Sequence, residues 1–155
     1  MEVINETNRY YIINELIIQY SFYHIFSLVS LSIDCFPYGG VMKNRCDMNN
    51  TYKFYLAFEN SICPDYVTEK FFDIFKYRYN VIPVVYNGAD MASIAPPHSY
   101  ISVRDYSSVE HLAQYLSIVS SNDTLFASYF WWRDYYTYRV SNISNISIHV
   151  INHLF

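Results

Sequence analysis

Residues 52–58, "YKFYLAF", alternate so that Tyr52, Phe54, Leu56 and Phe58 fall on one side and Lys53, Tyr55 and Ala57 on the other. Both sides are largely apolar, the pattern of a strand covered on two faces. The spacing then turns helical, and over 66–79 Phe71, Phe72, Phe75 and Tyr79 form one stripe. "VIPVVY" at 81–86 returns to strand character, with Pro83 pointing to an edge or a bulge. "NGAD" is a turn, and "APPHSYISV" gives a rigid loop followed by a short strand. Ser107 and Glu110 have the spacing of a capping box and open a helix with Val109, Leu112, Ala113, Leu116 and Val119 on one face. The aromatic segment 125–139 is expected to be helical.

Upstream, residues 1–15 are polar and mixed, whereas 16–33, "LIIQYSFYHIFSLVSLSI", are apolar. A buried helix followed by a strand, "LVSLSI", is the expected outcome, with a membrane anchor as the competing reading. The run is close to the minimum for a bilayer span. Gln19 and His24 would be costly in lipid, and no basic cluster flanks the run. Residues 36–50 form a loop rich in turn formers, and 140–155 are a weakly patterned tail. The alternation of strand and helix predicts an α/β fold with a parallel sheet and right-handed crossovers. Ligands in such sheets bind beyond the carboxyl ends of the strands. The stretch 60–75, "NSICPDYVTEKFFDIF", lies at such an end.

The chain has 155 residues, a length suited to one domain. A net charge of −4 and no block of like charge exclude a nucleic-acid footprint. With 3 Gly, and neither G-x-G-x-x-G nor a Walker A motif, no glycine-rich loop can cradle a phosphate. Cys35, Cys46 and Cys63 contain no C-x-x-C, which disfavours a zinc ribbon or a thioredoxin-like site. His149 and His153 have helical metal spacing but lack the Glu of a metalloprotease motif. Sequons at Asn5, Asn49, Asn122, Asn142 and Asn145 lean towards the secretory pathway.

A phosphate can still be held at a helix N-terminus, where unpaired N–H groups and a partial positive charge favour anions. Lys70 falls in the first turn of the 66–79 helix, where a cation is unfavourable unless an anion sits beside it. Glu69 suits that end and could accept hydrogen bonds from sugar hydroxyls, and Tyr66 offers a flat face and a hydroxyl. A sugar nucleotide would use all three, but a solvated Glu69–Lys70 pair and a core Tyr66 would fit the same residues. His98, Trp131, Trp132 and Asp90 are explained as well by loop, core and turn packing.

"YKFYLAFENSICPDYVTEKFF" resembles the donor-binding signature of the alpha-1,3-fucosyltransferases. The resemblance continues through "VIPVVYNGADMASIAPPHSYISVRDYSSVEHLAQYL" and "NDTLFASYFWWRDYY", covering 34–139, and "APPHSYI" and "YFWWRDYY" are most similar to the invertebrate core-fucosylating branch. It implies a Rossmann-like parallel sheet with flanking helices, the C-terminal half of a two-domain glycosyltransferase B fold. On this reading 34–139 are the GDP-fucose-binding domain, preceded by a divergent segment 1–33. The implied reaction is inverting transfer of fucose from GDP-fucose to an N-acetylglucosamine acceptor on a glycoprotein, with no cofactor and no metal. By motif, Tyr66, Glu69, Lys70 and Asn60 contact the donor. Lys70 neutralises the departing diphosphate, and Glu69 stabilises charge on the sugar. The resemblance puts the acidic general base and the acceptor site in an N-terminal domain without a counterpart here. A fragment, a shortened isoform and a degenerate copy that binds GDP-sugar without turnover therefore stay open, as does a small membrane-tethered protein. The family implies the lumenal side of the Golgi membrane.

Overall fold

The computed structural model describes residues 11–16, 29–31 and 52–139. The tail, Cys35, Cys46, His149, His153 and most of the 16–33 anchor candidate lie outside these residues. Among the described residues no helix is long and apolar enough to cross a membrane. Residues 11–16 form a helix, α1, ahead of the predicted start, because Ile12, Ile13 and Leu16 already recur at helical spacing and are buried.

A parallel sheet of four strands organises the rest, in the order β1 (Val29–Leu31), β2 (Phe54–Phe58), β3 (Ile82–Tyr86), β4 (Ile101–Ser102). Leu56 sits opposite Leu31 on one side and Val84 on the other, and Val84 opposite Ile101. Every residue of β2 is buried. Phe54, Leu56 and Phe58 enter one apolar cluster with Ile82 and Val84, whereas Tyr55 and Ala57 enter a second with Val81 and Val85. The alternation fails at the strand's start. The chain bends at Lys53, so Tyr52 packs with the second cluster and Lys53 reaches the Ser120 carbonyl (2.7 Å) and Asp123 (3.1 Å) on the first face.

Pro83 occupies an interior strand rather than an edge. The reason lies in the parallel ladder, where successive N–H groups point to opposite neighbours. Ile82 donates to the Lys53 carbonyl, so position 83 faces β4, and β4 pairs only from Val84 onward. The missing N–H of proline falls where no acceptor is waiting.

One face of the sheet is covered by α3 (Val109–Ser121) through Leu112, Ala113, Leu116 and Val119, together with α1. The other is covered by α2 (Glu69–Lys76) through Phe71, Phe72, Ile74 and Phe75. Helix α2 is shorter than the predicted 66–79. It starts at Glu69 behind an N-cap at Thr68, and ends where Arg78 takes a left-handed conformation, φ 53°. Arg78 then donates to the Phe75 carbonyl and Tyr79 to that of Ile74, the paired bonds of a Schellman closure with arginine in glycine's usual place. Tyr79 leaves the helix but still packs on the second cluster. The cap of α3 is Ser108, which accepts from the His111 N–H, not Ser107, whose hydroxyl bonds the His111 ring instead. The expected helix over 125–139 is instead a short α4 (Asp123–Ser128) and a 3-10 turn (Trp131–Asp134). Arg133 ties that turn to the end of α2, donating to Asn80 Oδ1 (2.6 Å), Tyr79 O (2.7 Å) and Arg78 O (3.0 Å).

Candidate functional site

Three connections leave the carboxyl ends of β2, β3 and β4, and hydrogen bonds from backbone and side chain tie them together. The Glu59 N–H, just past β2, donates to the Tyr86 carbonyl at the end of β3 (3.2 Å). Asn87 follows, buried, its Nδ2 donating to Met91 Sδ and its Oδ1 accepting from the Ala89 N–H. Arg104, in the 3-10 turn Val103–Asp105 after β4, donates to the Asn87 carbonyl at 3.3 Å. Gly88 lies under the first connection, where a Cβ would stand 2.8 Å from the Cys63 carbonyl oxygen and 2.9 Å from Ile62 Cγ2. Only glycine lets the two loops approach this closely.

The β2–α2 connection carries the predicted residues. Asn60 begins it and is exposed. Pro64 and Asp65 form a turn closed by the Tyr66 N–H on the Cys63 carbonyl, with Asp65, in the third position, in the left-handed region at φ 59°. Tyr66 is exposed on this turn rather than on the helix, and Cys63 is a half-buried free thiol. Thr68 caps α2, and Glu69 and Lys70 occupy its first turn as expected.

The structure brings Lys70 and Glu69 together, Nζ to Oε1 at 3.4 Å, and adds two residues that the sequence reading missed. Glu59 is the sole charged side chain buried in the described core, at 1% exposure. Its Oε1 accepts from the Thr68 N–H at 2.8 Å, and its Oε2 accepts from the Thr68 hydroxyl at 2.8 Å. Lys70 Nζ stands 3.9 Å from Glu59 Oε2 and donates to Thr68 Oγ1 at 3.3 Å. Burial pushes the Glu59 carboxyl above the usual range, while Thr68 and then Lys70 pull it back. The lysine side chain is 17% exposed and that of Glu69 67%, so the cation is held from inside while Glu69 faces solvent. A signal for Glu59 existed: it is the lone charge continuing the apolar run "FYLAFE". Arg104 carried none beyond being a cation just past a short strand.

Of the other residues considered, Trp132 is buried in the second cluster, and Trp131 is partly exposed with its Nε1 on the Pro97 carbonyl. Asp90 caps the turn Met91–Ser93. His98, at φ 56°, stacks on Tyr129 and lines a separate cavity of about 280 Å³ with Tyr106, Tyr115 and Asp105. None of the site residues above lines that cavity.

A cation seated at a helix N-terminus, beyond the carboxyl ends of a parallel sheet, can receive a phosphate or a diphosphate. Residues 20–153 match the family model described as glycosyltransferase family 10 (fucosyltransferase) C-term. Alpha-(1,3)-fucosyltransferase C of Drosophila melanogaster is 54% identical over 89 residues, 57% of this chain and 20% of the fly protein. Glycoprotein 3-alpha-L-fucosyltransferase A of the same fly is 48% identical over 56% of this chain and 17% of its own length. Alpha-(1,3)-fucosyltransferase fut-1 of Caenorhabditis elegans is 38% identical over 68% of this chain and 26% of its own length. The chain thus spans about a fifth of the length of the two fly proteins. A solved alpha1,3-fucosyltransferase with GDP-fucose superposes with a TM-score of 0.52 at 22% identity, covering 74% of this chain and 31% of that one. Another, with GDP, gives 0.52 at 21% identity over 75% and 33%. At those identities the likeness shows a shared fold.

Proposed function

The chain belongs to glycosyltransferase family 10, the fucosyltransferases, and from that membership we propose that 34–139 form the donor-binding part of an inverting alpha-1,3-fucosyltransferase. The observation that carries the reading is the placement of Lys70, presented at the N-terminus of α2 beyond the carboxyl end of β2 and braced from beneath by Thr68 and Glu59. GDP-fucose would set its diphosphate against the Lys70 ammonium and the α2 N-terminus. Glu69, exposed beside it, is available to the ribose or fucose hydroxyls, and Asn60 and Tyr66 flank the same connection. That GDP-fucose and GDP accompany the two solved fucosyltransferases supports this choice of ligand.

In the reaction, an acceptor hydroxyl oxygen bonds to C1 of fucose as the C1–O bond to GDP breaks. The electron pair leaves with GDP, and the acceptor proton passes to a base supplied by an acceptor domain. Lys70 offsets the charge gathering on the diphosphate, usually a large catalytic contribution. A cation and a helix end in this arrangement do the work of a divalent ion, so no metal is assigned. The acceptor would be N-acetylglucosamine on a glycoprotein, met on the lumenal side of the Golgi membrane. Asn122, an exposed sequon, uses its Oδ1 to cap α4 (3.0 Å to the Leu125 N–H), which leaves Nδ2 accessible for a glycan in that compartment.

Calorimetric titration of the 155-residue chain with GDP and GDP-fucose tests the reading. Lys70→Ala should weaken both by about 10- to 100-fold, the loss of a charge-assisted hydrogen bond, with an unchanged circular dichroism spectrum. Unaltered affinity in that variant removes the site assignment. Transfer of fucose to a glycopeptide then separates turnover from binding alone.

A further inference from the structure

Thr68 has one hydroxyl proton and two lone pairs. The proton goes to the Glu59 carboxylate, 2.8 Å from Oε2, and the lone pairs face the Lys70 backbone N–H (3.4 Å) and the Lys70 ammonium (3.3 Å). An ionised carboxylate only accepts, so Glu59 fixes the direction of this chain: ammonium to hydroxyl to carboxylate. The Thr68 N–H on Glu59 Oε1 holds the carboxylate against the Thr68 backbone, with Oε2 within reach of the hydroxyl. At 3.9 Å the ammonium is too far for a direct bond to Glu59 but well within its field. Of its three N–H groups, one is spent on Thr68 and one on the exposed Glu69, a partner that a ligand can replace. We propose that Glu59 is a positioning residue: working through Thr68, it holds the Lys70 ammonium at the start of α2 with its remaining donors turned to an incoming anion. The inference rests on the donor-site reading and adds to it a residue that touches no ligand.

A double-mutant cycle with GDP as probe, on the full chain, tests it. Glu59→Gln is nearly isosteric and keeps an acceptor for Thr68, but its amide N–H₂ competes for the hydroxyl lone pair that Lys70 uses. With Lys70 present, Glu59→Gln should weaken GDP binding about fivefold to tenfold; in a Lys70→Ala background it should change binding less than about twofold. Equal losses in both backgrounds, or none with Lys70 present, overturn the proposal and indicate a structural acid only. A ligand-free readout accompanies the cycle. Acetic anhydride labelling of Lys70, read by mass spectrometry against the exposed Lys76, should rise severalfold in Glu59→Gln, and an unchanged ratio refutes the positioning role. If the unsubstituted chain does not bind GDP, the donor-site reading fails while the labelling ratio still decides the Glu59–Lys70 link. Should Glu59→Gln fail to fold, Thr68→Ser and Thr68→Val replace it. The serine variant should keep the low Lys70 labelling and the valine variant should lose it, and the same ratio in both counts against the proposal.

Discussion

Thr68→Ala removes a single hydroxyl that has three partners. As N-cap it accepts from the Lys70 N–H at 3.4 Å, a long bond, so the lower part of the usual capping range applies, about 0.5–1 kcal/mol. It also donates to the buried Glu59 carboxylate at 2.8 Å, and losing a hydrogen bond to a charged group costs about 1.5–3 kcal/mol. The Thr68 N–H on Glu59 Oε1 survives the substitution, so the carboxylate keeps one partner and the upper end is not reached. The third partner, the Lys70 ammonium, can turn to solvent and adds little. The sum is about 2–3 kcal/mol, which for a chain of this size lowers the melting temperature by about 4–12 °C. Thermal and urea unfolding followed by circular dichroism would measure it, with Thr68→Ser as the control that keeps the hydroxyl. A loss below about 1 kcal/mol in Thr68→Ala, or an equal loss in Thr68→Ser, would refute the reasoning, because the Glu59 carboxylate would then be satisfied by something other than that hydroxyl.

Three further outcomes are expected. Arg133→Ala forfeits three charge-assisted bonds to the loop that ends α2 and should cost about 2–4 kcal/mol in urea unfolding; Arg133→Lys should recover less than half, because an ammonium cannot fork to two carbonyls and an amide. Gly88→Ala drives a methyl into the Cys63 carbonyl, backbone that cannot rotate aside, so it should cost about 1–3 kcal/mol in the same assay and weaken GDP binding by shifting the β2–α2 connection. The carboxyl of Glu59 is raised by burial from an ordinary value of 4.5, so the folded state holds that proton more tightly than the unfolded chain does. Stability from this group is therefore greatest in acid and declines as pH rises from about 4.5 through the raised folded value; pH-dependent unfolding of Glu59→Gln should lack that decline, and an identical profile in both proteins would contradict the sign.

The face assignments in β2 and the buried stripes of α2 and α3 could be read from the sequence because each rests on several apolar residues repeating with one period. Element ends could not, because they depend on single hydrogen bonds. Thr68 and Ser108 set the starts of α2 and α3 through contacts two or three residues on, and the Schellman closure at Arg78 stopped α2 despite a continuing aromatic pattern. Pro83 misled because edge position was inferred from chemistry alone, whereas the short span of β4 decided it. Trp131 and Tyr135 extended a helical-looking run that the 3-10 turn and the Arg133 bonds break. At the site, Glu69 and Lys70 were visible as a charge pair at a strand-to-helix passage. Glu59 and Thr68 were not, since their importance arises only when β2 and α2 are brought together in space.

The arrangement around Glu59 has a cost that points to its purpose. Burying a carboxylate opposes folding, and a buried ion pair replaced by apolar groups is often neutral or stabilising. Here the acid directly follows Phe58, the buried last residue of β2, at a position that is itself 1% exposed. A fold selected for stability alone has no need of an acid at the end of its most buried strand. The acid makes sense if the lysine above it must be held still before a ligand arrives, because an ammonium on a free four-carbon stem loses its rotamer entropy on binding and the affinity falls accordingly. By bracing Lys70 through the residue that also caps α2, the fold meets that entropic cost during folding instead of during binding. Stability and donor affinity are then coupled through one hydroxyl, so substitutions at Thr68 cannot change the first without changing the second.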